Sequence, residues 1–188
     1  MGLRLNTFKT PDAYNRIEYR KGGYVLQMLR ALMWDAKTHD ENFIAMMHDF
    51  VKTYTHRNAS SEGFAAIVAK HMTPAMDLDG NHRMDWFFNE WVYDTELPRY
   101  RLQYTITPEK EGTFLLKAAL TQSEVSDRFK MIVPVFDDID GSIALLGTVA
   151  IQGSRTNEFQ VHLPRKPKRV LLNVYHDVLA AESASEQK

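Results

Sequence analysis

The side chains best suited to hold a metal or move a proton near neutral pH are seven histidines: His39, His48, His56, His71, His82, His162 and His176. None is followed by glutamate, and no two stand four residues apart. The chain therefore lacks His-Glu-x-x-His, the arrangement that puts two ligands and a glutamate base on one helix face. It has no cysteine nucleophile or thiolate ligand, no Gly-x-Ser-x-Gly elbow and no phosphate loop. Those histidines read as surface or packing residues. A different chemistry is open to Tyr19, whose hydroxyl can donate one hydrogen bond. It stands one turn before Gly22-Gly23, in the stretch Ile17-Glu18-Tyr19-Arg20-Lys21-Gly22-Gly23-Tyr24-Val25-Leu26. Read from the residues alone, this is a half-buried tyrosine beside a tightly packed helix. Each helical glycine costs roughly 1 kcal/mol against alanine, and close approach by another element is the usual reason to accept that cost.

Two other stretches imitate binding sites. Asp77-Leu78-Asp79-Gly80-Asn81 looks like a calcium loop, but its glycine comes too early and Trp86 stands where a ligating glutamate would fall. A turn with a helix cap is the better reading, since Asp, Asn and Gly favour turns. Asn58-Ala59-Ser60 fits a glycosylation sequon, which matters only in a secreted eukaryotic chain.

Four helices are expected to carry the first half. The first runs from about Ala13 to Asp35, with Val25, Met28, Leu29, Leu32 and Met33 on one face. Asp40-Glu41 opens a second, striped by Phe43, Met46, Met47, Phe50, Val51 and Tyr54. A third carries Phe64, Ile67, Val68 and Met72 and stops at Thr73-Pro74. A fourth carries Met84, Phe87, Phe88, Trp91 and Val92. Such stripes make the core of an antiparallel bundle.

After Pro98 the hydrophobic period becomes two. Tyr100, Leu102, Tyr104 and Ile106 alternate with polar residues, as do Phe114 to Leu120 and Phe129 to Val135, where Pro134 implies an edge or a bulge. Asp137-Asp138-Ile139-Asp140-Gly141 is the strongest turn signal, and strands follow at about 142–151, 158–163 and 169–174. The pattern implies an antiparallel β-sandwich. The fold class is α+β: a helical bundle over 1–97, a β-sandwich over 98–179, and a disordered polar tail over 180–188.

Four stretches together resemble a known family. They are Tyr19-Arg20-Lys21-Gly22 followed by Val25-Leu26 and Met28-Leu29-Arg30, then Arg57-Asn58-Ala59-Ser60-Ser61, then Asp85-Trp86-Phe87-Phe88-Asn89-Glu90-Trp91-Val92, then Leu97-Pro98-Arg99-Tyr100. In order and spacing they look like the region after the active site in the aminopeptidase N family of zinc metallopeptidases. The resemblance covers about the first half well and the second half in strand pattern. It implies that residues 1–97 are the end of a catalytic domain. It also implies that Tyr19 is catalytic, pointing into the active site and stabilising the tetrahedral intermediate. Glu62-Gly63-Phe64-Ala65 is similar to the segment that carries the family's third zinc ligand. In the family that segment precedes the Tyr-x-Lys-Gly motif, whereas here it follows, so Glu62 reads as a first-turn helix residue. The family's Gly-x-Met-Glu-Asn motif is absent.

Two accounts fit. In the first, the chain is the C-terminal fragment of a zinc-dependent aminopeptidase that removes N-terminal residues from peptides. It is then inactive alone because the zinc site lies upstream: no cofactor in this chain, zinc in the full-length parent. Its partners would be the missing N-terminal catalytic half and, in the parent, a peptide substrate, with self-association expected where the missing half would dock. In the second, the chain is a non-catalytic binding or structural module on the same scaffold. A net charge of −1 gives no field favouring nucleic acid or an anionic membrane. No apolar run approaches the roughly 20 residues of a membrane span. Met1 to Asn6 lacks a signal-peptide core. The chain reads as soluble, with its compartment undetermined.

Overall fold

The computed structural model describes residues 15–188. The expected helix start at Ala13 and the aperiodic Met1 to Thr10 lie outside the described residues. The fold is α+β, helices first and two sheets after. The chain falls into two compact units, divided between Met84 and Asp85.

The helical unit opens with a wide π-turn, Asn15–Lys21, that runs directly into α1, Gly22–Met33. Val25, Met28, Leu29 and Met33 are buried as the stripe predicts. α1 stops two residues before the expected Asp35 because the Asp35 carboxylate accepts the N–H groups of Lys37 and Thr38, at 2.8 and 3.2 Å, and so favours a turn. α2 spans Glu41–Tyr54. Asp40 precedes it but caps nothing with its side chain; its two oxygens bind Arg30 Nε and Nη2 of α1 at 2.9 and 2.6 Å. Met46 is buried as expected, but Val51 is not in the stripe: it is 60% exposed, as is Ile44 at 49%. These two stand seven residues apart, two turns along one outer face. α3, Ser61–Lys70, is capped by Ser60, whose Oγ accepts from Gly63 N at 3.1 Å. Phe50 packs edge-on against Phe64, centroids 4.9 Å apart.

The strand unit begins earlier than the change of period at Pro98 suggests. A short helix α4, Asp85–Phe88, and a second wide turn, Asn89–Tyr93, belong to it. The stripe correctly marks Phe87, Phe88 and Trp91 as buried, while Val92 is exposed. The stripe could not say against what they pack. Trp91 meets Phe129 edge-on at 5.4 Å, and Glu90 Oε1 accepts from Lys130 N at 2.7 Å.

The strands are β1 Arg99–Pro108, β2 Phe114–Ser123, β3 Lys130–Ile139, β4 Ser142–Gln152, β5 Arg155–Leu163, β6 Arg169–Leu172 and β7 Glu182–Gln187. They form one sheet in the order β5-β2-β1-β7 and another in the order β4-β3-β6. The expected disordered tail is a strand instead. β7 runs parallel to β1, with Arg99 opposite Glu182 and Gln103 opposite Glu186. Its polar residues carry no hydrophobic period, but β1 offers an open edge and Arg99 binds Glu182 at 2.5 Å. Asp140 and Gly141 form the predicted turn between β3 and β4, both at positive φ, 54° and 86°, as a two-residue type I′ hairpin requires. β3 is the central strand of its sheet, so Pro134 is not on an edge strand. The β6 pairing starts only at Val135, which leaves Pro134 paired on one side, and the register shifts between Val135 and Phe136. The bulge reading thus holds and the edge reading holds only locally. No helix among the described residues is long and apolar enough to cross a membrane.

Candidate functional site

Tyr19 occupies the wide π-turn that opens α1, and the residue is 65% exposed. Single wide turns of this kind are frequent at functional sites. The expected half-buried packing tyrosine is therefore not what the chain presents. Arg20 beside it is also exposed and Lys21 is half-buried. The two glycines do not behave as expected within this chain. Gly22 is where π spacing gives way to α spacing. A Cβ built on Gly23 would meet no atom within 4 Å. Among the described residues, no element approaches Gly23 closely.

The histidines do not converge. His71 Nε2 pairs with Asp49 Oδ2 at 2.9 Å, His82 Nδ1 with Asp77 Oδ2 at 3.1 Å, and His162 Nδ1 with Glu109 Oε2 at 2.8 Å. His39, His56, His82 and His176 sit at positive φ, between 54° and 59°, each at a turn. Among the described residues no three His, Cys, Asp or Glu side chains are placed to hold one metal ion. Asp77 organises the calcium-like loop as a turn, its carboxylate accepting from the N–H groups of Asn81 and His82 at 3.0 and 3.1 Å. Glu62 lies in the first turn of α3, as read from sequence.

Asp49 gathers two partners in the helical unit. Lys70 Nζ binds its Oδ2 at 2.7 Å, and His71 shares the same oxygen. Lys70 first and His71 second hold its carboxyl down to about 2. Lys70 ends α3 and His71 is the residue that follows it, whose carbonyl accepts from Asn42 Nδ2 at 2.9 Å. The cluster ties α2 to α3.

In the strand unit the polar centre is buried. Tyr100 Oη donates to Gln122 Oε1 at 2.9 Å, and Gln122 Nε2 donates to Gly153 O at 2.9 Å. Burial, then the negative charge of Glu90, pushes the Tyr100 hydroxyl well above its ordinary range, so it stays protonated. Tyr104 Oη accepts from Val170 N at 3.1 Å. These groups hold strands together and are not open to a reactant. The outer face of the β5-β2-β1 strands holds a shallow groove of about 530 Å³ whose lining includes Gln103, Thr105, Lys117, Ala119, Glu158 and Gln160. It offers hydrogen bonds and opposite charges but no nucleophile with a base beside it. Sequence reading missed this groove because it exists only once the register sets Gln103 beside Ala119 and Ala119 beside Glu158.

Comparison with protein-family models and with curated proteins gives no match for this sequence.

Proposed function

We propose that this chain is the C-terminal portion of a zinc-dependent aminopeptidase-like protein that removes N-terminal residues from peptides, and that Tyr19 is the residue it contributes to the reaction. The observation that carries the proposal is the exposed Tyr19 on a wide turn at the head of α1, within a Tyr-x-Lys-Gly motif followed in order by three further stretches similar to the family. The described residues do not bring a zinc ligand set together. In this proposal the zinc and its ligands belong to the preceding half of the parent.

Peptide hydrolysis builds negative charge on the former carbonyl oxygen. A hydroxyl held where that charge develops stabilises the transition state more than the bound substrate. Tyr19 has one proton to donate and would do so as a hydrogen bond, without giving the proton up.

The test is Tyr19→Phe in the complete protein, which removes only the donor. The expected result is a kcat lower by about 10²–10³, the scale of one lost oxyanion donor, with KM and zinc content little changed. A kcat within about twofold of wild type, under 0.5 kcal/mol on the transition-state scale, would end the assignment. The segment encoded ahead of this chain provides a second check. It should contain His-Glu-x-x-His, and its absence would leave the non-catalytic module as the reading.

A further inference from the structure

The two sheets have four edge strands, β5, β7, β4 and β6. Three carry the features that discourage a second strand from pairing. β5 has Arg155, Glu158 and His162; β7 has Glu182 and Glu186; β6 is only four residues long and includes Arg169. β4 is different. It is the longest strand, eleven residues, Ser142–Gln152, with no charge and no proline. Among the described residues it pairs with β3 alone. Near its end, Asn157 Nδ2 occupies the Ala150 carbonyl at 2.8 Å, which covers that end of the edge and leaves Ser142 to Thr148 open. Leu145 is 39% exposed there, and a Cβ added at Gly147 would meet nothing within 4 Å.

We propose that the Ser142–Thr148 edge of β4 pairs antiparallel with the same edge of a second copy of this chain, joining two three-stranded sheets into one six-stranded sheet. The charge pattern selects this occupant. Every antiparallel register between two such edges sets uncharged residues against uncharged ones, whereas β5 and β7 of another copy carry charges along the strand and β6 offers only four residues, one of them charged. Two copies of one edge related by a two-fold axis also match in length and hand. The extra residue at Leu146, where the register with β3 shifts between Val135 and Phe136, puts a twist in the edge and keeps the contact short, so the dimer is weak and concentration-dependent. This inference does not depend on the reading of Tyr19.

The experiment uses the whole chain, which contains no cysteine. Sedimentation velocity of the wild type, up to about 1 mM chain, should show a monomer–dimer equilibrium. Leu145→Lys sets like charges near the two-fold axis and should weaken it at least about tenfold, with an unchanged circular dichroism spectrum because Leu145 is partly exposed. Leu145→Cys should cross-link to its own copy under mild oxidation, while Glu158→Cys on β5 should stay monomeric. A wild type that is monomeric throughout would overturn the proposal. So would a Leu145→Lys variant that associates like wild type, or a Glu158→Cys variant that cross-links as fast as Leu145→Cys.

Discussion

The helical and strand units satisfy the polar groups between their elements differently. The helical unit uses charges near the surface. Arg30–Asp40 joins α1 to the start of α2, and Asp49 with Lys70 and His71 joins α2 to the end of α3. The strand unit has such pairs too, Arg99–Glu182 and Arg128–Asp94 among them, but adds neutral groups out of contact with water, Tyr100 to Gln122 to the Gly153 carbonyl. Ion pairs at the surface are screened by salt, undone by acid, and individually worth little. A buried neutral hydrogen bond is indifferent to salt and costly to leave half-made. The two units should therefore respond to different insults.

The largest expected effect is at the corner where the chain passes from β4 in one sheet to β5 in the other. Gly153 sits there at φ 71°, and a Cβ on it would lie 3.1 Å from the Asp127 Cα. Gly153→Ala combines left-handed strain with contact against backbone that has little room to move. A loss of about 2–4 kcal/mol is expected, read by chemical denaturation with a fluorescence probe of the strand unit. A loss below about 0.5 kcal/mol, the scale of an ordinary surface change, would mean that the corner is not rigid.

Next is Tyr100→Phe, which leaves the buried Gln122 oxygen without its donor. The expected loss is about 1–3 kcal/mol, equal at low and high salt. If added salt erased the difference between variant and wild type, the contrast between the units would fail.

The smallest effect is acid sensitivity in the helical unit. The Asp49 carboxyl is held at about 2, against an ordinary 3.8. A carboxyl depressed on folding adds stability above its unfolded value and loses it as pH falls through the folded one. Asp35, held down by the N–H groups of Lys37 and Thr38, and Asp40, held down by Arg30, have the same sign. The strand unit is mixed. Asp138 is lowered by Arg169, but burial raises Asp137 and Asp177, and a raised carboxyl favours the folded state as pH falls. Between pH 4 and 2, amide exchange should accelerate in 22–70 before it does in the strands. Simultaneous loss of protection in both units would count against this.

Much of the architecture was legible because burial has a period. β1 and β2 match their alternation, and Asp140-Gly141 announced its hairpin through the positive φ that both positions adopt. The misses have one physical origin: they depend on what lies across from a residue. Phe87 and Trp91 were read as buried, yet only Phe129 and Lys130 reveal that they join the strand unit. β7 has no apolar period and owes its form to the edge of β1. Tyr19 was singled out by its motif, but exposure on a π-turn is a property of backbone geometry that no residue type spells out. The sheet-face groove depends on three strands in register and leaves no trace in any one of them.

β7 also has a temporal consequence. Its backbone pairs with β1, and the Arg99–Glu182 bond spans 83 residues of chain. At a synthesis rate of about 5–20 residues per second, β1 must wait roughly 4–17 s after it is made before its parallel neighbour exists. During that interval the β1 edge is uncovered, and contacts between sequence-distant strands form slowly in any case. Pairing of β7 is thus the step that covers the β1 edge, and a nascent chain stalled before Glu182 would leave that edge open to whatever protein stands nearby.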